Sequence, residues 1–327
     1  MRRVTIMPSA KRLFASIAVL VFLPFISQCS KEPRGPQIRT LTPKEAAIMA
    51  PDPYGASRPR PDLKLDQELD PERQEALADL FLKTKEYDGS LLHYLQILQK
   101  EPERHEVRYK VGVILLLKGQ YKGAREEFAK VLAAQPDMLK AREALGLAYM
   151  QEKEYPPAIK EFRAVLEKDP KRAQTRHLLG VTYLMANQPR DAIRELEQAN
   201  SLDPRNISTY VALGQAYNQV KEYHKALNCL KKAEALNPHH KKIHYQIGMA
   251  LAGLHRYDEA FAAFAKGADE AQAYNNIGVH YFMDGEYELA AKCFQKALEL
   301  RPTFYEEAKN NLDRALEKLR EGKKGSL

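Results

Sequence analysis

The 327-residue sequence predicts an all-α fold: a solenoid of about seven helix-turn-helix repeats with a C-terminal capping helix. Three observations lead there. A small residue recurs at Ala78, Gly112, Gly146, Gly180, Gly214, Gly248 and Gly278, at five intervals of 34 residues and a last one of 30. The apolar residues around it fall three and four apart, the helical period. A proline closes six of the seven units, at Pro102, Pro136, Pro170, Pro204, Pro238 and Pro302, where its missing N–H and the restricted residue before it stop a helix.

The N-terminus precedes the array. Arg2, Arg3, Lys11 and Arg12 form a basic segment, and no charge follows from Leu13 to Ser30. This is the layout of a secretory signal, too short and too interrupted by Pro24 for a stable membrane span. Ile26-Ser27-Gln28-Cys29 resembles a bacterial lipobox, with Gln28 where Gly or Ala is usual. The resemblance implies removal of residues 1–28, acylation of Cys29 and anchoring of the protein in a membrane. Ser30 after the cysteine is similar to outer-membrane lipoproteins, which implies sorting to that membrane and a periplasm-facing chain. Residues 29–70 hold seven prolines, from Pro33 to Pro61, and no apolar period. They read as a flexible tether.

The repeats are expected over 71–304, as 71–104, 105–138, 139–172, 173–206, 207–240, 241–270 and 271–304. In each first helix an apolar residue precedes the small one (Leu77, Val111, Leu145, Leu179, Leu213, Ile247, Ile277), and Phe81, Leu115, Tyr149, Tyr183, Tyr217, Leu251 and Tyr281 follow three places later. Lys85, Gly119, Asn187 and Gly285 sit in the turn between helices. The second helix carries Ser90, Ala124, Ala158, Ala192, Ala226, Ala260 and Ala290. Four residues further on it carries Tyr94, Phe128, Phe162, Leu196, Leu230, Phe264 and Phe294. No unit can bury its apolar face alone, so neighbours must stack. The sixth unit lacks one helical turn and the closing proline, and a bend in the array is expected there. Residues 305–320 form the capping helix, with Ala308, Leu312, Ala315 and Leu319 inward, and 321–327 a frayed tail.

These positions together resemble the tetratricopeptide repeat, in seven copies. The tryptophan usual at the fourth place of the first helix is replaced by Gln74, Arg108, Arg142, Arg176, Tyr210, His244 and Tyr274. The resemblance implies a right-handed superhelix whose first helices line a concave groove, with their fifth, ninth, twelfth and thirteenth places facing inward. Those places give a partner-binding surface of Tyr109, Val113, Leu116, Leu117, Leu147, Met150, His177, Val181, Leu184, Met185, Val211, Gln215, Asn218, Tyr245, Met249, Asn275 and Phe282. An apolar strip with pliable methionines suits a peptide or a helix. Chaperone-binding members hold a terminal carboxylate with Lys and Asn at the fifth and ninth places. Here the fifth places are Glu75, Tyr109, Glu143, His177, Val211, Tyr245 and Asn275, and no such clamp is present.

Composition narrows the function. The pI is about 9.1, but four of the 51 basic residues lie in the leader, leaving 47 against 43 acids. That is no nucleic-acid footprint. There is no phosphate loop, nucleophile elbow or HExxH motif, so neither enzymatic activity nor a cofactor is expected. His239, His240 and His244 cluster without a third ligand class, and no metal is expected. Cys229 and Cys293 hold the same place two repeats apart, too far for a disulfide, and are expected as free thiols. The expected role is a membrane-anchored periplasmic scaffold binding a peptide or helix of another cell-envelope protein. Ala271-Gln272-Ala273-Tyr274-Asn275-Asn276-Ile277-Gly278 is similar to Tad pilus assembly lipoproteins, and the overall plan to type IV pilus lipoproteins, which implies a part in pilus or secretion assembly. The alternative is an adaptor that recruits cell-wall hydrolases or a protease. Oligomeric state is not addressed by any of these features.

Overall fold

The computed structural model describes residues 70–301 and 305–324. The chain divides into two units, Met1–Glu72 and Arg73–Leu327, and nearly all described residues belong to the second. The expected leader, Cys29 and almost all of the tether lie outside the described residues.

Among the described residues the structure is fifteen α-helices and no strand. The first helices of the repeats are α1 (Pro71–Lys83), α3 (His105–Leu117), α5 (Leu139–Gln151), α7 (Ala173–Met185), α9 (Ile207–Gln219), α11 (Lys241–Gly253) and α13 (Glu270–Met283). The second helices are α2 (Tyr87–Lys100), α4 (Tyr121–Ala134), α6 (Tyr155–Lys168), α8 (Pro189–Leu202), α10 (Tyr223–Leu236), α12 (Tyr257–Gly267) and α14 (Tyr287–Leu300). The last helix, α15, spans Glu306–Lys324 and so continues a turn past the expected end at 320. A Lys318–Glu321 ion pair, three residues apart, spans that junction.

From the second repeat on, each first helix packs on its own second helix, and each second helix on the next first helix. In the first repeat, Ser90 Oγ donates to the Ala78 carbonyl at 2.8 Å, and Ala78 and Tyr94 share one core cluster. The within-repeat contact turns on two places. The large residue of the second helix, from Tyr94 to Phe294, is 0 or 1% exposed in all seven repeats. It lies directly over the small residue of the first helix. A Cβ added at Gly214 would sit 2.4 Å from Leu230 Cγ, and one at Gly112 2.5 Å from the Phe128 ring. These glycines are therefore a steric requirement of close helix approach.

The interhelical turn is equally regular. Its fifteenth place is left-handed in every repeat: Lys85, Gly119, Lys153, Asn187, Lys221, His255 and Gly285 all have φ between 58° and 83°. Only two of these are glycines. The backbone bonds around them, such as Glu154 N to the Tyr149 carbonyl at 2.9 Å, hold the others in that conformation.

The sixth repeat is shortened as the spacing predicts. Its second helix has 11 residues where the others have 14. Gly267 comes so close to α11 that a Cβ there would lie 3.0 Å from both the Lys241 carbonyl and the Tyr245 nitrogen. Asp269 then caps α13 by accepting from Gln272 N at 2.8 Å. At the C-terminal end Ala308 and Ala315 are fully buried, and Leu312, Leu316 and Leu319 pack on the core containing Phe294.

Candidate groove on the first helices

From α3 onward, successive first helices touch each other as well as the helices between them. Their contact makes them the inner side of the array. Between α9 and α11 the contact is also polar, with Asn218 Nδ2 donating to both the carbonyl and the Oε1 of Gln246 at 3.0 Å.

The structure divides the expected groove residues into two sets. Leu116, Leu147, Met150, His177, Leu184, Val211 and Asn275 are between 1 and 7% exposed and pack helix against helix. Tyr109, Val113, Leu117, Val181, Met185, Gln215, Asn218, Tyr245, Met249 and Phe282 are half-buried and keep part of their surface open. They run along the same helices at spacings of three and four. Nearby, Met283 is 71% exposed.

The fifth place stitches repeats together. Thr175 Oγ donates to Glu143 Oε2 at 2.6 Å, with Arg172 at 3.2 Å from the same oxygen. His177 Nδ1 and Thr209 Oγ are 3.0 Å apart. Asn275 Nδ2 donates to Glu307 at 3.3 Å and its Oδ1 accepts from Asn311 at 3.1 Å. Each bond runs to a first helix one repeat on, or to α15. Burial, with a smaller push from the Lys242 ammonium, lowers the His177 pKa to about 4, so this imidazole is neutral near pH 7. Spacing alone marked these side chains as inward-facing. It did not separate those that meet a neighbouring helix from those that meet solvent.

The missing tryptophan has a structural substitute that the sequence reading did not find. Arg108, Arg142 and Arg176 stand at the fourth place of α3, α5 and α7. Each donates to the carbonyl of the proline ending the previous repeat (Pro102, Pro136, Pro170) at 2.8 to 3.1 Å. Each also pairs at 3.0 Å with a glutamate of its own second helix (Glu127, Glu161, Glu195). The signal was present as an Arg and a Glu 19 residues apart in three consecutive units. His244 takes over part of the role, its Nε2 lying 2.6 Å from the Pro238 carbonyl.

Among the described residues no group of three His, Cys, Asp or Glu side chains could hold a metal ion. Cys229 and Cys293 are free and half-buried, with burial raising both thiol pKa values. No described helix is long and apolar enough to cross a membrane.

Comparison with known proteins agrees with this architecture. Models of the tetratricopeptide repeat match residues 75–138, 115–181 and 271–304. A model described as anaphase-promoting complex, cyclosome, subunit 3 matches 151–233 and 200–267. No curated protein matches the sequence. Among solved structures, a tetratricopeptide repeat protein from Parabacteroides merdae superposes with a TM-score of 0.57 at 15% identity, over 75% of this chain and 98% of its own. The C-terminal part of a repeat protein from Cytophaga hutchinsonii gives 0.55 at 20% identity, over 72% and 98%. Pseudomonas aeruginosa pilF gives 0.50 at 21% identity, over 64% and 96%. The protein is a tetratricopeptide-repeat solenoid, a fold whose repeats generally act as non-enzymatic scaffolds for protein partners.

Proposed function

We propose that this protein is a lipid-anchored scaffold of the bacterial cell envelope, facing the periplasm, which holds a peptide or helix of another envelope protein in the groove of its first helices during assembly of a pilus or secretion complex. The observation that carries the groove is the stripe of half-buried apolar side chains: Tyr109, Val113, Leu117, Val181, Met185, Tyr245, Met249 and Phe282. Such a stripe on a solenoid's inner side is a surface for partners rather than for catalysis. Export and the anchor rest on the basic, apolar, cysteine-ended leader. The pilus or secretion context rests on the similarity of the stretch from Ala271 to Gly278 to pilus assembly lipoproteins.

The test is a photo-crosslinker in place of Met185 in living cells, with the adduct identified by mass spectrometry. A pilus or secretin component supports the reading, and a wall hydrolase or protease replaces it with an adaptor role. Val181→Glu is expected to abolish that adduct while leaving the helical circular dichroism unchanged, because Val181 is half-buried. Leu147→Glu is the wrong probe, since Leu147 is 5% exposed and a charge there disturbs packing. Labelling with an alkyne fatty acid, lost on Cys29→Ala, tests the anchor separately.

A further inference from the structure

The inner side carries several cations, and most have a carboxylate. Lys110 is 2.8 Å from Glu75 and 2.6 Å from Asp79. Lys140 is 2.5 Å from Glu106, and Arg172 is 3.2 Å from Glu143. Lys242 differs. It is the second residue of α11, three and seven places before Tyr245 and Met249, and so shares their helix face. It is half-buried, yet it makes no ion pair with any described residue. Burial alone acts on its ammonium, lowering its pKa, with no acid to oppose the shift. Its charge also acts on His177, two repeats earlier, adding to the fall in that imidazole's pKa.

A partly desolvated ammonium without a counter-ion is electrostatically unsatisfied. The apolar stripe continues on both sides of it, with Val181 and Met185 in the fourth repeat and Phe282 in the seventh. A bound chain therefore passes over Lys242 instead of ending there.

We infer that Lys242 is a specificity point of the groove, and that the segment it accepts is an apolar peptide carrying an internal Asp or Glu side chain that pairs with the Lys242 ammonium. This rests on the groove reading proposed above and deepens it. The unpaired cation sets the sign of the partner, and the flanking aromatic and methionine side chains set its apolar character. A pair of this kind, screened from water by the bound peptide itself, discriminates an acid from its amide more strongly than a surface ion pair does.

The test is a selection of random 12-residue peptides, displayed without a free C-terminus, on the full chain carrying a photo-crosslinker at position 185. Peptides that crosslink there are expected to carry an Asp or Glu between apolar residues. Replacing that acid with its amide is expected to weaken binding about tenfold or more. Lys242→Met is expected to remove the preference, and Lys242→Glu to transfer it to the peptide with Lys in place of the acid. Circular dichroism and melting of each variant establish that the solenoid is intact. Peptides that crosslink at position 185 with no enrichment of acid, or with the same preference in Lys242→Met, overturn the Lys242 inference and leave the groove standing. Peptides that bind without crosslinking there overturn the groove reading, and this inference with it.

Discussion

Repeats two to four and repeats five to seven have the same fold but different polar fastenings. In the first group the fourth place is Arg and the twenty-third is Glu, and the two side chains pair under the proline carbonyl of the previous repeat. In the second group these two places read Tyr210 with Cys229, His244 with Ala263, and Tyr274 with Cys293. The places change together. Where Arg is lost, so is the Glu that would be left nearly buried without a cation. The two cysteines thus stand where the earlier repeats carry a glutamate, and small, weakly polar side chains suffice there. At Tyr210 and Tyr274 ring contacts replace the ion pair, with Lys232 over the Tyr210 ring at 5.8 Å and Tyr274 on Phe261 at 4.6 Å, while His244 keeps the contact to the proline carbonyl. The shared scaffold is the glycine and the large residue above it, while the polar fastening is interchangeable.

If that division is right, the largest loss comes from the shared element. Phe162→Ala and Leu230→Ala, one in each group, are each expected to cost about 2–5 kcal/mol in urea denaturation, because both side chains are 0% exposed. A markedly smaller loss in either group would show that its core is not the common one.

Next comes pH, which acts through an inter-repeat bond bridging the two groups. His177 has a folded pKa of about 4 against an ordinary 6.5. The unfolded chain takes up a proton that the folded chain refuses between those values. Stability is therefore full above pH 6.5 and falls as pH drops towards 4, by up to about 3 kcal/mol. His177→Gln should flatten melting temperature against pH in this window. An unchanged profile would remove His177 as the cause.

Gly214→Ala is expected to cost about 1–3 kcal/mol, since the new methyl meets Leu230 Cγ at 2.4 Å. Gly285→Ala tests a different property of glycine, as nothing lies within 4 Å but φ is 83°. It should cost about 1 kcal/mol. Hydrogen exchange resolved by repeat would localise both effects.

The polar fastening sharpens the comparison most. Arg142→Met leaves Glu161, 14% exposed, without its cation and is expected to cost about 1–2 kcal/mol. The reverse transplant, Tyr210→Arg with Cys229→Glu, should recover about 1 kcal/mol relative to the sum of the two single substitutions. A double-mutant cycle measures that coupling, and additive singles would break the claim that the places act as a pair.

Most of the fold was legible in the residues. The small place, the large place four after the second-helix alanine, and the closing proline all follow from one-dimensional spacing. Helix packing needs little more than size and period. The turn was legible at Gly119, Asn187 and Gly285. It was less so at Lys153, Lys221 and His255, where hydrogen bonds from the preceding helix hold a left-handed residue with no glycine to announce it. The candidate site was half legible. Spacing marked which side chains turn inward, but Leu147, Leu184 and Val211 are consumed by neighbouring helices while Val181, Met185 and Met249 are not.

Residue order is enough to specify seven stacked helical pairs, because each pair leaves an apolar face that only another pair can cover. It is also enough to specify the short sixth unit and the polar outer face of the last helix. Which inward side chains remain open, which fourth-place residue fastens which carbonyl, and why Lys242 lacks a counter-ion were decided only when the repeats packed. Those properties depend mostly on distances between residues 19 or more positions apart, such as Arg142 and Glu161 or His177 and Thr209. Such distances are set by the stagger of whole helices, which no local pattern encodes.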